Sequence, residues 1–193
     1  MIGTTAARTV TRRIRRTAQT ALLDVLSTVA KPLGHRLIRD REGLGLADGA
    51  IPHRTTVFDD VPGVTGLDPG LLAALRHAAR AAARDGIRFR VNSGRRSRAY
   101  QERLIAETVE RLGSAEQAAR WVTAPERSAH VSGHAIDLGP AEATAWLSRH
   151  GAAFGLCQIY ANEPWHYELR PEAITKGCPA MYPDPSHDPR NKG

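Results

Sequence analysis

The chain has 193 residues, of which 41% are hydrophobic and 24% are charged, a composition typical of one globular domain with a sizeable core. Its net charge of +7 is concentrated in residues 1–40, where eight Lys or Arg side chains face two Asp, a net +6. The remainder is nearly neutral and has few aromatic residues, which argues against nucleic-acid binding. The sequence contains no run of about 18 apolar residues, so no membrane span is predicted.

Residues 1–40 predict a basic amphipathic helix or leader. Apolar residues recur there at three- and four-residue steps, as one face of a helix requires: Val10, Ile14, Ala18, Leu22, Val25 and Val29. Three interpretations stay open, namely a helix packed on the domain, a helix on an anionic membrane surface, and an export signal. Asp24 interrupts the apolar stretch and weakens the third, and Arg12-Arg13 is a faint twin-arginine match.

Residues 41–66 are predicted to be an irregular connector. Glycines and prolines punctuate the segment, and its only apolar cluster is Val57-Phe58. A segment of this length without regular structure is usually functional or lies across the core. His53 within it is expected to be solvated.

The domain proper, residues 67–193, begins with a predicted helix. Asp68-Pro69 is an N-cap followed by proline at the first helical position, and Gly86 is a natural stop. Alternating apolar residues over 87–91 predict a half-buried strand that ends in the loop 93–96. A second helix is expected over 98–112.

The second half of the domain alternates helices with strands. Ser114 is predicted to cap a third helix that runs through Trp121-Val122, and Pro140 to open a fourth that ends at Gly151. A short strand is expected at 135–138. Residues 154–160 and 165–169 predict two antiparallel strands. The fold class is therefore α+β, with helices packed on a small antiparallel sheet.

Two histidines and a carboxylate, with a further Glu near the last His, suit zinc that keeps one position open for water. His130 and His134 are four residues apart, but Gly133 between them disfavours the helix on which both would face one metal. A turn running into the strand at 135–138 fits better. His130, His134 and Asp137 therefore compete as partners of His166.

The motifs resemble those of a known family, the zinc D-alanyl-D-alanine carboxypeptidases. Their double signature is similar to Ser128-x-His130-x-x-Gly133-x-Ala135-x-Asp137 followed by Glu163-x-Trp165-His166. The family includes VanY-type enzymes and vancomycin-resistance dipeptidases, and it shares its zinc core with hedgehog and lysostaphin-like domains. A further segment, Ser93-Gly94-Arg95-Arg96-Ser97 with Gln101, resembles the family's SGYRS-x-x-x-Q segment. The resemblance extends from Leu67 to the C-terminus.

The resemblance implies a role for each site residue. One zinc ion is expected, with three implied ligands: His130, Asp137 and His166. Glu163 is implied as the general base and Arg96 as the cation over the scissile carbonyl. Substrate contacts are expected from three further side chains: Ser128, Gln101 and Ser93.

The implied activity is hydrolysis of cell-wall peptides that end in D-Ala-D-Ala, with release of the terminal D-Ala. A zinc-containing peptide-binding module without hydrolysis, and an endopeptidase of the same fold, are the alternatives. Glu163 and Arg96 favour an enzyme, because a binding module needs no proton acceptor. Arg95 stands where relatives often have an aromatic residue, and His134 where the residue is usually small, acidic or aliphatic; both bear on the pocket, and neither removes a ligand.

Cys157 and Cys178 enclose a loop that spans the Glu163–His166 segment. In an oxidising compartment a bridge between them would brace the site and stabilise the fold by about 3 kcal/mol. A cell-envelope or secreted location is expected, with the cytoplasm as the alternative. The expected partner is the peptidoglycan stem peptide, with no nucleic acid. Membrane-surface contact through the N-terminal helix is one of the open interpretations of residues 1–40.

Overall fold

The fold centres on a four-stranded antiparallel sheet within residues 44–192, the part of the chain that the computed structural model describes. Its strands are β1 (Arg90–Ser93), β2 (Ala135–Gly139), β3 (Leu156–Gln158) and β4 (His166–Leu169), in the spatial order β1-β2-β4-β3. β2 is buried along its whole length. The helix predicted within residues 1–40 lies outside the described residues, so its interpretations stay open.

The helices Pro69–Arg84 and Ala141–His150 pack on this sheet. The described α-helices are α1 (Pro62–Thr65), α2 (Pro69–Arg84), α3 (Arg98–Leu112), α4 (Ala115–Ala119), α5 (Ala141–His150) and α6 (Ala173–Lys176). Short 3-10 turns occur at Leu46–Asp48, Gly151–Phe154, Pro185–His187 and Pro189–Asn191. The predicted α+β class is confirmed. No helix among residues 44–192 combines the length and the apolarity that crossing a membrane requires.

The helix α2 supplies much of the core. Asp68 caps it by accepting a hydrogen bond from the backbone N–H of Leu71, and Pro69 occupies its first turn, as the sequence predicts. Its apolar stripe, which includes Leu71 and Leu75, is fully buried among residues of β1, β2 and α5. Burial of a leucine side chain contributes about 2 kcal/mol, so this stripe fixes the helix against the sheet.

The connector contributes to the same core. Val57 and Val64 are fully buried in it, whereas Phe58, the predicted apolar partner of Val57, is about half exposed and lies under the guanidinium of Arg80. Residues 62–65 form the one-turn helix α1, which the sequence analysis treated as irregular because its Pro-Gly start is typical of turns.

Three predicted elements have other boundaries in the structure. The strand predicted over 154–160 is the shorter β3, Leu156–Gln158, because Gly151–Phe154 forms a 3-10 turn. The first strand begins at Arg90 and not at 87, because the N–H of Ile87 still bonds to the carbonyl of Ala82 in the turn that ends α2. The helix predicted to start after Ser114 is α4, and it ends at Ala119, where the chain tightens into i→i−3 hydrogen bonds. It does not continue through Trp121-Val122. The helices predicted over 98–112 and up to Gly151 are confirmed.

Candidate active site

The two central strands and the turn before them bring three side chains to one point. Asp137 on β2 is paired in register with His166 at the start of β4, and His130 lies in the turn that leads into β2. Nε2 of His130, Nδ1 of His166 and Oδ1 of Asp137 are separated by 3.2, 3.2 and 3.3 Å. A tetrahedral zinc with bonds of about 2.0–2.1 Å holds its ligand atoms about 3.3–3.4 Å apart, so the spacing suits such a metal.

Hydrogen bonds on the far side of each imidazole set which nitrogen faces the site. Nδ1 of His130 lies 2.9 Å from the carbonyl oxygen of Gly94, and Nε2 of His166 lies 3.3 Å from Oε1 of Glu168. Both partners are acceptors, so these nitrogens carry protons, and the opposite nitrogens are the ones that can bind a metal once they are unprotonated. Oδ1 of Asp137 is buried and has no hydrogen-bond partner despite its two neighbours. Three electron-pair donors that converge on one point fit a divalent cation.

The protonation of the two histidines is consistent with a site that exchanges a proton for a metal. Burial and the nearby Arg96 guanidinium lower the pKa of His130, which keeps its imidazole neutral. Burial also opposes a charge on His166, but its contacts with Asp137 and Glu168 outweigh that effect and raise the pKa of His166 to about 10. Metal binding at Nδ1 therefore requires loss of the proton that the metal-free site holds.

Glu163 lies beside these atoms at the entrance to β4. The backbone N–H of His166 bonds to the carbonyl of Glu163, and Oε2 of Glu163 is 3.6 Å from Nδ1 of His166. The residue is only 6% exposed, and burial raises the pKa of Glu163 to about 7. A carboxylate that titrates near neutrality beside a candidate metal position is suited to accept and return a proton.

Arg96 is held in place on the other side of Asp137. Its guanidinium donates to Oγ of Ser93 (2.7 Å), to Oε1 of Gln101 (3.1 Å) and to Oδ2 of Asp137 (2.9 Å). Gln101 is itself buried and donates to the carbonyl of Thr123. Ser93 and Gln101 are predicted substrate contacts, and in the structure both accept hydrogen bonds from Arg96. Their contact with substrate stays a prediction.

The loop that carries Arg96 is clamped by the connector. The N–H of Arg95 bonds to the carbonyl of Gly63, and the N–H of Arg96 bonds to the carbonyl of His130. A Cβ on Gly94 would lie 1.9 Å from that Gly63 oxygen, so only glycine permits the approach. The predicted loop residues 93–96 are thereby tied directly to the turn that bears His130.

The turn before β2 separates the competing histidines. Gly133 has φ +77°, a left-handed conformation that glycine adopts without strain, and its carbonyl accepts a hydrogen bond from Asp68. His134 therefore points to the surface, where its Nδ1 lies 3.0 Å from Oγ of Ser132, and it is not part of the three-residue group. Ser128 is buried at the start of this turn, and the N–H of Val131 lies 3.4 Å from its Oγ.

The residues behind His166 were not predicted from the sequence. Glu168 is 1% exposed and contacts His166, Arg170 and Arg190. Glu168 follows His166 by two residues on a strand, so both side chains lie on the same face. The alternation of side chains along a strand could therefore have indicated Glu168 as a neighbour of His166. Arg190 gives no such signal, because nothing in the local sequence relates the C-terminal tail to β4.

The two cysteines form a disulfide in the structure, Cys157 on β3 with Cys178 after α6. Cys157 packs in a small second cluster with Ile159, Tyr160 and Ala173. The ring of Tyr160 in turn lies 5.0 Å from the imidazole of His166, centroid to centroid. The bridge therefore links the C-terminal tail to the part of the core that supports the candidate metal site.

Comparison with known families identifies the class of protein. The family model VanY, D-alanyl-D-alanine carboxypeptidase, matches residues 65–172, which is more than half of the chain. The chain therefore belongs to this family of peptidases, and the resemblance noted in its motifs is confirmed. A comparison with curated proteins gives no match.

Solved structures place it among particular relatives. It is 29% identical to a mutant of the vancomycin-resistance D,D-pentapeptidase VanY from a VanB-type cassette, in complex with Zn(II); the match covers 57% of this chain and 76% of that one, with a TM-score of 0.53. VanYB in complex with D-alanine-D-alanine gives the same identity and TM-score over 57% and 75% of the two chains. The LD-carboxypeptidase LdcB, 20% identical over 66% and 71% with a TM-score of 0.51, shares the fold.

Proposed function

We propose that this chain is a zinc-dependent D,D-carboxypeptidase that removes the terminal D-Ala from cell-wall peptides ending in D-Ala-D-Ala. The observation that carries the proposal is the convergence of His130, Asp137 and His166 on one point, with an orphaned Oδ1 of Asp137, in a chain of the VanY family. The Zn(II) and the D-alanine-D-alanine bound in the two relatives support the choice of metal and substrate.

The three ligands of this proposal leave a metal with room for water and substrate. Zinc, when bound there, supplies a Lewis acid that polarises the scissile carbonyl and lowers the pKa of water from about 15.7 to about 7. The chain's contribution is to hold three ligand atoms at the required spacing and to keep both imidazoles in the tautomers that bind.

Glu163 is the proton carrier of the proposed reaction. Its carboxylate removes a proton from the attacking water as the C–O bond forms at the carbonyl carbon. It then returns that proton to the nitrogen of the leaving D-Ala as the C–N bond breaks, so the peptide acquires a carboxylate and the leaving group is an amine. A pKa near neutrality suits both steps.

Arg96 stabilises the negative charge that develops on the carbonyl oxygen. Its hydrogen bonds to Ser93, Gln101 and Asp137 use one N–H on each guanidinium nitrogen. Two of its five N–H groups therefore stay available for the developing oxyanion. A cation fixed in advance favours the transition state over the neutral ground state, which is how such a residue accelerates the reaction.

The proposed location is the cell envelope or the exterior, where the substrate peptides occur. The Cys157–Cys178 disulfide supports this location, because such bridges persist in oxidising compartments. The predicted contact of the N-terminal helix with a membrane surface remains part of the proposal. The boundaries predicted at residues 40 and 66 likewise remain predictions.

The test is hydrolysis of a pentapeptide ending in D-Ala-D-Ala, followed by mass spectrometry. A D,D-carboxypeptidase releases one D-Ala and leaves a tetrapeptide. The same peptide ending in L-Ala is the matched control and should not be cleaved. Cleavage within the peptide or of a cross-link would indicate the endopeptidase alternative, and binding without any cleavage would indicate a peptide-binding module.

A further inference from the structure

The C-terminal tail, residues 178–192, packs against the side of the sheet that supports His166. The Cys157–Cys178 disulfide anchors its start to β3. Backbone hydrogen bonds from Tyr182 to Ile159 and from Ala161 to Tyr182 continue the attachment. This tail lies beyond residues 65–172, the range over which the family model matches.

One tail side chain reaches the carboxylate that contacts a candidate metal ligand. Arg190 donates to both oxygens of Glu168, at 2.7 Å to Oε2 and 3.1 Å to Oε1. Oε1 is the oxygen that lies 3.3 Å from Nε2 of His166. A two-pronged guanidinium–carboxylate contact fixes the orientation of the carboxylate as well as its charge. Arg170 contacts Oε2 alone, at 2.6 Å, and leaves Oε1 to Arg190 and His166.

Arg190 is itself held by Asp188, a buried residue of the tail. Asp188 is fully buried and accepts from Nε of Arg190 with both oxygens. The hydroxyl of Tyr160 donates to Asp188, and the Tyr160 ring packs on the imidazole of His166. The imidazole of His166 is thus contacted at Nε2 by Glu168 and on its face by Tyr160. Glu168 is held by Arg190, and Tyr160 is bonded to Asp188, the partner of Arg190.

We propose that Arg190 is a positioning residue of the metal site: it orients the Glu168 carboxylate against Nε2–H of His166 and so sets the affinity with which the site holds zinc. The proposal rests on the proposed function, because it takes the metal as given. The alternative is that Arg190 merely attaches the tail, in which case its loss affects stability and leaves zinc affinity unchanged.

The experiment measures zinc affinity by competition with a chromophoric chelator, on the full-length protein. Glu168→Gln, which keeps the shape of the side chain, is expected to weaken zinc binding about 10–100-fold, as is usual for the partner of a ligand histidine. Arg190→Ala is expected to weaken it about tenfold. The matched control is Arg120→Ala, which removes another tail ion pair, to Asp184, without touching Glu168; it should stay within about twofold of wild type.

A double variant separates positioning from attachment. If Arg190 acts through Glu168, Arg190→Ala combined with Glu168→Gln binds zinc within about twofold of Glu168→Gln alone. Losses that multiply in the double variant, or wild-type affinity in Arg190→Ala, overturn the proposal. An equal loss in Arg120→Ala also overturns it, because tail attachment would then suffice.

Chemical rescue gives a second readout that does not depend on Glu168→Gln folding. A cavity of about 350 Å³ is lined by Glu168, Arg190 and Asn191 among others, so a small cation has a route to the vacated position in Arg190→Ala. Guanidinium at low millimolar concentration should restore most of the lost affinity, and potassium at equal ionic strength should not. If guanidinium fails to restore the affinity, the proposal is contradicted. If wild type itself binds no zinc, the proposed function fails instead, and the two failures are thereby distinguished.

Discussion

Replacement of Glu163 by glutamine should lower activity and raise stability at the same time. Burial raises the pKa of Glu163 from 4.5 to about 7. Below about pH 4.5 the residue is protonated in both the folded and the unfolded chain, and burial costs nothing extra. Above about pH 7 the folded metal-free protein must hold a buried carboxylate. The difference between the two pKa values puts the free-energy cost of this buried charge at about 3 kcal/mol. Glutamine avoids that cost and cannot accept a proton.

The assay is urea denaturation of chelator-treated Glu163→Gln and wild type at two pH values. The variant should be more stable by about 3 kcal/mol at pH 8 and by less than about 1 kcal/mol at pH 5. With zinc restored, its turnover should fall at least about 100-fold. Glu142→Gln, on the exposed side of α5, is the control and should change neither quantity. A stability difference that does not depend on pH, or a variant that retains turnover, would refute the reasoning.

Three further predictions follow from the site. Arg96→Lys should lower kcat about 10²–10³-fold, because an ammonium lacks the planar fork that meets three acceptors at once; steady-state rates of D-Ala release check this, and an unchanged kcat would contradict it. His134→Ala should retain about one zinc per chain by elemental analysis and His130→Ala should retain none, and the reverse pattern would show the ligand assignment to be wrong. Reduction of the Cys157–Cys178 bridge should add about 2 Da and lower the free energy of unfolding by about 3 kcal/mol, whereas two alkylatable thiols in the native protein would disprove the bridge.

Local sequence signals predicted most of the fold correctly. The Asp68 cap, the first-turn proline and the apolar stripe of α2 are consistent with one another and act within one helix, so no distant contact is needed to interpret them. In α3 the Ser97 cap acts locally in the same way. Boundaries failed where tertiary contacts are present, as just after Ala119, where the carbonyl of Arg120 accepts a hydrogen bond from Asn162 and its side chain pairs with Asp184.

The candidate site was predictable as far as its motifs reach and no further. The order of Ser93–Gln101, Ser128–Asp137 and Glu163–His166 suffices to suggest the site, because each motif carries its own residue types. The contacts that tune it are long-range, such as Gly63 against Gly94 and Arg190 against Glu168. A separation of 22 residues between Arg190 and Glu168 leaves no periodicity for sequence reasoning to detect.

Zinc titration tests the central claim most directly. Chelator-treated protein is supplied with increasing zinc, and D-Ala release from a pentapeptide ending in D-Ala-D-Ala is followed at each step. The rate should be negligible without metal, rise in proportion to zinc and level off at about one zinc per chain. Full activity in the presence of chelator, or one bound zinc without any D-Ala release, would contradict the account.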